Sequence, residues 1–216
     1  MKRILFIINP NSVNKLKDRV ENAIGSGINN SEFIVRIEYT KSASHAADLS
    51  REAVNEGVDI IAAVGGDGTV NEVASQMINS SSILGIIPMG SGNGLARHLG
   101  ISRNIEKAVA LINAQNTNTI DTGLVNGKTF VSIAGVGFDA LIAEKFAQGT
   151  QRGFMGYFKQ VAKEYLNYKP QEYILTFSNG EVIKKKALFV AFANSNQFGY
   201  NTTIAPNANI KDGLLD

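Results

Sequence analysis

The sequence predicts an α/β protein in which a mostly parallel sheet is followed by antiparallel strands. Two observations carry this prediction. Over roughly the first 114 residues, short apolar runs alternate with helical patterns, which is typical of consecutive βα units. From about residue 121 onward, strand-like segments are joined by Asn-Gly turns, the strongest short-range signal for a hairpin. We therefore expect two domains, residues 1–120 and 121–216.

Four strands and two helices are predicted in the first half. The strands are Ile4–Ile8, the alternating segment Phe33–Tyr39, Asp59–Val64 and Ile83–Ile87. Continuous apolar strands are expected where both faces of a sheet are covered. One helix is predicted over Ser44–Glu56, with Ser42 or Ser44 as its cap and Gly57 as its stop. The other runs from about Glu106 to Ala114.

The second half is predicted to be mainly antiparallel β. Asn126-Gly127 lies between strand-like residues of the segment Leu124–Phe130, and Asn179-Gly180 lies between Tyr173–Phe177 and Val182–Ile183. The remaining predicted elements are a strand over Ala187–Ala193 and a helical stretch around Leu141–Tyr168.

Composition excludes several classes of function. A net charge of +2 is too balanced for a protein that coats nucleic acid, so we expect no nucleic-acid partner. The absence of cysteine excludes disulfides, thiolate zinc sites and cysteine nucleophiles. The longest run without a polar side chain, Ile83–Gly90, is far shorter than the roughly 20 residues that a membrane helix needs. We expect a cytoplasmic protein without a membrane span.

The first glycine-rich turn, Gly65-Gly66-Asp67-Gly68-Thr69, follows an apolar strand. Thr69 and Glu72 have capping-box spacing, which predicts that a helix begins there. Such a turn lets backbone N–H groups approach an anion at the helix start. Phosphate repels a carboxylate unless a cation or a proton lies between them, so Asp67 indicates Mg²⁺ or a general base. The alternative is a tight turn in which Asp67 is merely solvated.

A second glycine-rich turn, Gly90-Ser91-Gly92-Asn93-Gly94, follows the next strand. Loops at the carboxyl ends of adjacent parallel strands line the same crevice, so we expect the two turns to face each other. Ser91 and Asn93 offer a hydroxyl and an amide suited to phosphate or ribose oxygens. Neither turn is a Walker A loop, since G-x-x-x-x-G-K-[ST] does not occur.

Taken together, these motifs closely resemble the diacylglycerol kinase and sphingosine kinase family of lipid kinases. Asn9-Pro10 after the first strand, Gly137-Phe138-Asp139-Ala140 and the closing Asp212-Gly213-Leu214-Leu215-Asp216 agree with the same family. The resemblance covers essentially the whole chain, in order. The first turn is shared with NAD kinases and phosphofructokinases, whereas the second turn and the closing motif point to the lipid kinases.

This resemblance implies an NAD kinase- or phosphofructokinase-like three-layer α/β nucleotide-binding domain, followed by an antiparallel β-sandwich that is incomplete here. It implies transfer of the γ-phosphoryl group of Mg·ATP to the hydroxyl of a lipid such as diacylglycerol or a sphingoid base. ATP and a lipid at a membrane surface are thus the expected partners, with the protein peripheral to the membrane. A homodimer is left open.

The resemblance also implies site residues by position. Asp67 is the expected catalytic residue, either as organiser of Mg²⁺ or as base. Asp139 is expected near the lipid head group, and Arg152 near the phosphates of ATP. The expected contacts to ATP are Thr40, Gly65, Gly66, Asp67, Gly68, Thr69, Asn71, Ser91 and Asn93.

The closing motif implies a structural Mg²⁺ held by Asp212 and by backbone groups of Asn209 and Leu214. Gly94 stands where bacterial diacylglycerol kinases usually carry aspartate, which leaves the acceptor lipid open. The bacterial enzymes also carry an acidic residue, proposed as catalytic, beyond the position of Asp216. We therefore expect this chain to be truncated at its C-terminus.

Two other functions are compatible with the residues. The shared first turn allows a kinase for a soluble substrate, such as an NAD kinase, and loss of a C-terminal acid would leave a nucleotide-binding regulatory module without catalysis. The segment Glu144–Lys169 mixes basic and aromatic residues, which suits either an anionic bilayer or packing onto the sandwich.

Overall fold

The structure is a computed structural model that describes residues 1–148, 161–177, 179–199 and 202–216. A four-stranded parallel sheet has the order β2-β1-β3-β4. Its strands are β1 (Lys2–Ile8), β2 (Phe33–Tyr39), β3 (Ile60–Gly65) and β4 (Ile83–Pro88). All four predicted strands are confirmed, with ends that differ by two residues at most. The register pairs Ile8 with both Tyr39 and Val64, and Gly65 with Pro88, so the carboxyl ends of the strands lie along one edge.

Helices cover both faces of this sheet. They are α1 (Pro10–Val13), followed by a 3-10 turn at Asn14–Leu16, then α2 (Lys17–Gly27), α3 (His45–Asn55), α4 (Asp67–Ser75), α5 (Gly94–His98) and α6 (Ile105–Ala114). The helices predicted over 44–56 and 106–114 are confirmed, while α2 is an addition. It buries only Val20, Ala23 and Ile24, too few apolar residues to give a clear helical period.

Alternate residues of β1 face two separate cores, which confirms the three-layer α/β architecture. Ile4, Phe6 and Ile8 pack with side chains of α2 and α6. Leu5 and Ile7 pack in the other core, with side chains of α3, α4 and α5. All five side chains are almost fully buried, as expected for a central parallel strand.

The predicted helix caps are partly wrong. Helix α4 begins at Asp67, not at Thr69, and no side chain caps it. Because Gly66 is the cap residue, Thr69 lies inside the first turn and the capping box cannot form. Glu72 accepts a hydrogen bond from the backbone N–H of Ser44, at 3.3 Å. Ser44 does precede α3, but its backbone is left-handed (φ 63°) and its side chain makes no capping bond. Gly57 follows that helix with φ +69°, as a stop residue does.

The later strands are antiparallel, as predicted. The hairpin β5 (Gly123–Val125) and β6 (Lys128–Phe130) turns at Asn126 and Gly127, both with positive φ. The other elements are β7 (Ile133–Gly137), α7 (Phe138–Gln148), β8 (Gln171–Thr176), β9 (Val182–Ala187), β10 (Phe189–Ala193), β11 (Gln197–Gly199) and β12 (Thr202–Thr203).

Strand β8 pairs with β9, and β10 pairs with β7. The single strand predicted over 187–193 is wrong in one respect: Ala187 ends β9, and Leu188 separates it from β10. Of the helical stretch predicted around 141–168, α7 and residues 161–165 are helical. Residues 149–160, which include much of the proposed membrane-facing segment and Arg152, lie outside the described residues.

The chain forms two compact units. One comprises Met1–Ser132 with Asn194–Leu215, and the other comprises Ile133–Ala193 with Asp216. In the second unit Asp216 exchanges backbone hydrogen bonds with Ala193, at 2.8 and 3.0 Å. By these contacts residues 121–132 and 194–215 group with the parallel sheet, and the domain boundary at residue 120 stays a prediction. Within the described ranges, no helix has the length and apolar character needed to span a bilayer.

Candidate active site

The two glycine-rich loops start side by side at the carboxyl edge of the sheet. The N–H of Met89, just after β4, donates to the carbonyl of Gly65 at 2.8 Å. A Cβ atom added to Gly90 would lie 2.5 Å from Cα of Gly66, closer than two such atoms can approach. The two loops therefore touch backbone to backbone, and glycine at these positions is what allows the contact.

The carboxylate of Asp67 joins the first loop to the second. Its Oδ2 accepts a hydrogen bond from the N–H of Asn93 at 2.8 Å, and its Oδ1 accepts one from the N–H of Gly94 at 2.7 Å. Gly94 is the first residue of α5, so the negative charge lies at the start of that helix. Asp67 is nevertheless exposed, which leaves its other lone pairs open to solvent. The residue predicted to be catalytic thus also holds the site together.

Asn93 uses its side chain to close the second loop. The residue is 2 % exposed and has a left-handed backbone (φ 54°). Its Oδ1 accepts from the N–H of Gly90 at 2.9 Å, and its Nδ2 donates to the carbonyl of Gly90 at 2.7 Å. Ser91 lies within this closed loop and is half-buried. Contacts of Ser91 and Asn93 with ATP stay predictions.

Around the start of α4, one glycine has no packing role. Gly65 and Thr69 fit together, since a Cβ at Gly65 would lie 2.5 Å from the Thr69 hydroxyl, which accepts from Nδ2 of Asn9 at 3.2 Å. A Cβ at Gly68, in contrast, would meet open space within 4 Å, and its φ is not positive. The N–H groups of the first helical turn lack partners within α4. This open surface suits an anion.

Asn71 and Thr40 are the remaining two residues that were predicted to contact ATP. The amide of Asn71 donates to the carbonyl of Thr129 and accepts from the N–H of Val131, both at 3.2 Å. It therefore ties α4 to the segment around β6. Thr40 follows β2 at the same sheet edge, where its N–H donates to the carbonyl of Ile8 at 2.9 Å. Contacts of both residues with ATP also stay predictions.

The closing turn is built around Asp212. Its Oδ1 accepts from the N–H of Leu214 at 3.0 Å, and its own N–H donates to the carbonyl of Asn209 at 3.4 Å. Across the described ranges, no group of three or more His, Cys, Asp and Glu side chains converges as a metal site would require. A cation at this turn would thus depend on backbone carbonyls, as the resemblance implies.

A cavity of about 320 Å³ beside this turn contains an acceptor that sequence reasoning missed. Asp121, Asn194 and Leu214 are among the residues that line it. Asn194 is 1 % exposed, and its Nδ2 donates to the carbonyls of Asp121 (2.7 Å) and Val131 (3.0 Å). Its Oδ1 is buried without a hydrogen-bond partner. An orphaned acceptor of this kind costs stability unless water or a cation meets it.

Arg97 is a second residue that the motifs did not single out. It lies on α5, is half-buried, and donates from Nε to the carbonyl of Gly92 at 2.9 Å. Its position near the end of the second motif was the only available signal. The contact places a permanent positive charge beside the second loop.

Asp139 belongs to the second unit. Its Oδ1 accepts from the N–H of Ala140 at 2.8 Å, and the residue is half-buried. Burial raises the pKa of this carboxyl above its ordinary value. A desolvated acid of this kind is often found at a binding site.

Comparison with known families divides the chain in two. Residues 3–125 match the model described as diacylglycerol kinase catalytic domain. Residues 132–216 match the YegS C-terminal NAD kinase beta sandwich-like domain.

Curated relatives carry consistent names. A diacylglycerol kinase of Mycobacterium tuberculosis (strain CDC 1551 / Oshkosh) is 34% identical over 181 residues, which are 81% of this chain and 59% of the relative. A diacylglycerol kinase of Bacillus subtilis (strain 168) is 28% identical over 100% of this chain and 73% of its own length. A probable lipid kinase YegS-like of Enterobacter sp. (strain 638) is 31% identical over 84% of this chain and 63% of its own. The chain thus spans about three fifths of the Mycobacterium protein.

Solved structures agree with the fold. The crystal structure of a diacylglycerol kinase from Bacillus anthracis (strain Sterne) aligns with a TM-score of 0.74 at 25% identity, over 99% of this chain and 73% of that one. Another structure from the same strain aligns with a TM-score of 0.81 at 27% identity, over 99% and 74%.

Proposed function

Because this chain belongs to the diacylglycerol kinase catalytic domain family, we propose that it works as an ATP-dependent lipid kinase. The reaction transfers the γ-phosphoryl group of Mg·ATP to the hydroxyl of a lipid such as diacylglycerol or a sphingoid base. The family name supplies the class of transferase. The nucleotide, the cation and the acceptor are parts of the proposal.

The observation that carries the proposal is the unfilled surface at the start of α4. Gly68 has open space where a side chain would be, and neither packing nor backbone conformation requires glycine there. The first-turn N–H groups of Asp67, Gly68 and Thr69 would bind phosphoryl oxygens of the nucleotide. Neither packing nor backbone conformation explains the glycine at position 68, whereas a bound polyphosphate would explain it.

Phosphoryl transfer needs mainly positioning and neutralisation of charge. The Asp67 carboxylate contributes positioning through its bonds to the N–H groups of Asn93 and Gly94, which hold the second loop against the first. Its open lone pairs would accept the proton of the attacking hydroxyl or bind Mg²⁺. Magnesium, when bound, neutralises part of the triphosphate charge.

A structural Mg²⁺ fits the closing turn. Asp212 would hold it together with carbonyl groups of Asn209 and Leu214. Mg²⁺ takes oxygen ligands and usually keeps several waters. Asp121 and Asn194 are among the residues that line the neighbouring cavity, where polar groups suit such waters.

We place the enzyme in the cytoplasm and at a membrane surface when it acts, because a lipid acceptor resides in the bilayer. The absence of cysteine agrees with a reducing compartment.

An assay of acceptors tests the proposal. The full-length protein, with any residues that follow Asp216, is incubated with Mg·[γ-³²P]ATP and with dioctanoylglycerol micelles, sphingosine micelles or NAD. We expect label in one of the two lipids. Transfer to NAD instead would establish a soluble-substrate kinase, and ATP binding without transfer to any acceptor would establish a regulatory module; either result would overturn the proposal.

Gly68→Ala is expected to weaken nucleotide binding without harming the fold. The new methyl group meets no protein atom, and alanine in a helix is favoured over glycine by about 0.5–1 kcal/mol. It would, however, occupy the surface assigned to phosphate. Loss of one or two charge-assisted hydrogen bonds should weaken Mg·ATP binding about tenfold or more, measured by calorimetry.

Gly25→Ala is the matched control for this variant. Gly25 is also an exposed helical glycine with open space around it, in α2. It should gain similar stability and keep full ATP affinity. Equal ATP affinity in Gly68→Ala and Gly25→Ala would show that the phosphates of ATP do not bind at the start of α4.

A further inference from the structure

Strand β7 carries two glycines whose missing side chains make room for two polar groups. Gly135 and Gly137 are two residues apart, so they present the same face of the strand. A Cβ at Gly135 would lie 2.3 Å from Oδ2 of Asp139, and a Cβ at Gly137 would lie 2.3 Å from the hydroxyl oxygen of Tyr173. A carboxylate and a phenol therefore lie next to each other over this face.

The backbone explains only one of the two glycines. Gly137 has φ +102°, a conformation that favours glycine whatever surrounds it. Gly135 is not among the residues with positive φ, and the atom nearest to its missing Cβ is Oδ2 of Asp139, with the carbonyl oxygen of Val190 next at 3.2 Å. The pairing of Gly135 with Asp139 thus serves the position of the carboxylate.

Tyr173 comes from β8 and has a second phenol beside it. Burial, a hydrogen bond with Tyr168 and the nearby Asp139 carboxylate all raise the pKa of Tyr173, in that order of importance. A tyrosine phenol is protonated at neutral pH even at its ordinary pKa, so Tyr173 carries one hydrogen that it can donate. Tyr168, Tyr173 and Asp139 are each half-buried, which leaves the group accessible to a ligand.

An apolar wall adjoins these polar groups. The buried ring of Phe138 contacts the edges of Tyr168, with centroids 5.1 Å apart, and of Tyr165, at 6.1 Å. The same tyrosine, Tyr168, therefore belongs both to the aromatic cluster and to the polar group. A ligand with a hydroxyl at the end of an apolar body matches this combination.

We propose that Tyr173, supported by Tyr168, binds the acceptor hydroxyl of the lipid beside Asp139. The inference rests on the proposed function, since it names a further binding residue for the same acceptor. The carboxylate of Asp139 accepts the hydrogen bond of the lipid hydroxyl, and the phenol of Tyr173 donates to the oxygen of that hydroxyl. With Asp139 in this role, Asp67 acts through Mg²⁺ and not as the base. Tyr168, which packs against Phe138, lies beside the Tyr173 phenol and leaves its single O–H for the ligand.

Tyr173→Phe tests this directly, because it keeps the ring and removes only the hydroxyl. Binding of dioctanoylglycerol and of sphingosine to the protein is measured without nucleotide, by intrinsic tyrosine fluorescence and by NMR. We expect affinity for the bound lipid to fall about three- to tenfold, the size of one hydrogen bond, with Mg·ATP affinity unchanged. Tyr168→Phe should show a smaller loss in the same direction.

Tyr39→Phe is the control, since its phenol donates to Glu21 within the first unit and takes no part in the proposed group. It should bind lipid like the wild type. Unchanged affinity in Tyr173→Phe, or an equal loss in Tyr39→Phe, would overturn the assignment of Tyr173 while leaving the lipid kinase intact. Failure of the wild-type protein to bind either lipid would overturn both.

Discussion

Replacing Asp67 with Asn is expected to abolish phosphoryl transfer and to loosen the second glycine-rich loop at the same time. The carboxylate accepts from two backbone N–H groups, those of Asn93 and Gly94. An amide has only one oxygen, so its NH₂ group would face one of these donors. Leaving a buried N–H unpaired costs about 1–3 kcal/mol. We expect this loss of unfolding free energy, together with a fall in turnover of about 100-fold or more.

The two effects can be separated with a matched variant. Asp59 lies at the amino end of β3 and accepts from the backbone N–H of Arg3 at 2.7 Å. Asp59→Asn keeps an oxygen for this single donor, so it should lose little stability, and its transfer rate, measured below the unfolding transition, should stay near that of the wild type. Retained turnover in Asp67→Asn would remove this carboxylate from the mechanism. Equal loss of turnover in Asp59→Asn would reduce its role to stability.

Gly90→Ala is expected to produce a large loss of stability. The new Cβ would lie 2.5 Å from Cα of Gly66 and 2.8 Å from Oδ1 of Asn93. Backbone cannot move aside as a flexible side chain does, so the loops must separate. We expect a loss of about 1–3 kcal/mol in urea denaturation, and loss of Mg·ATP binding with it.

The reciprocal variant gives a graded comparison. A Cβ at Gly66 would lie 3.2 Å from Cα of Gly90, a tight but not impossible contact, so Gly66→Ala should lose less stability. Gly25→Ala, which meets no atom, should lose none. If Gly90→Ala had the same urea unfolding midpoint as the wild type, this would contradict the close approach of the two loops.

The strands of the sheet and the hairpin turns were predictable because the signal for each one lies in residues that are adjacent in the sequence. A run such as Ile4–Ile8 identifies a buried parallel strand by itself, and Asn126-Gly127 identifies its turn by itself. Helix α2 was missed because only three of its residues are buried. The predicted capping box is wrong because α4 begins two residues before Thr69, and the Thr69–Glu72 spacing does not reveal this.

The closeness of the two glycine-rich turns was predictable, but the bonds between them were not. The turns follow two apolar strands, and β3 and β4 do pair, which brings the turns together. The Asp67 carboxylate accepts from the N–H groups of Asn93 and Gly94 at the start of α5. These residues are 26 and 27 positions from Asp67 in the sequence. The hydrogen bond between Asn71 and Val131 joins residues that are distant in sequence. The unpartnered Oδ1 of Asn194 likewise depends on the folded chain and not on local sequence.

The contact between Gly66 and Gly90 has a consequence for engineering. The two glycine-rich loops contact each other through their backbones and must fit together. If the first loop were replaced by that of a related kinase, it would no longer match the second loop. Attempts to alter nucleotide preference should exchange both segments together, and libraries that randomise either one alone should yield mostly unfolded clones.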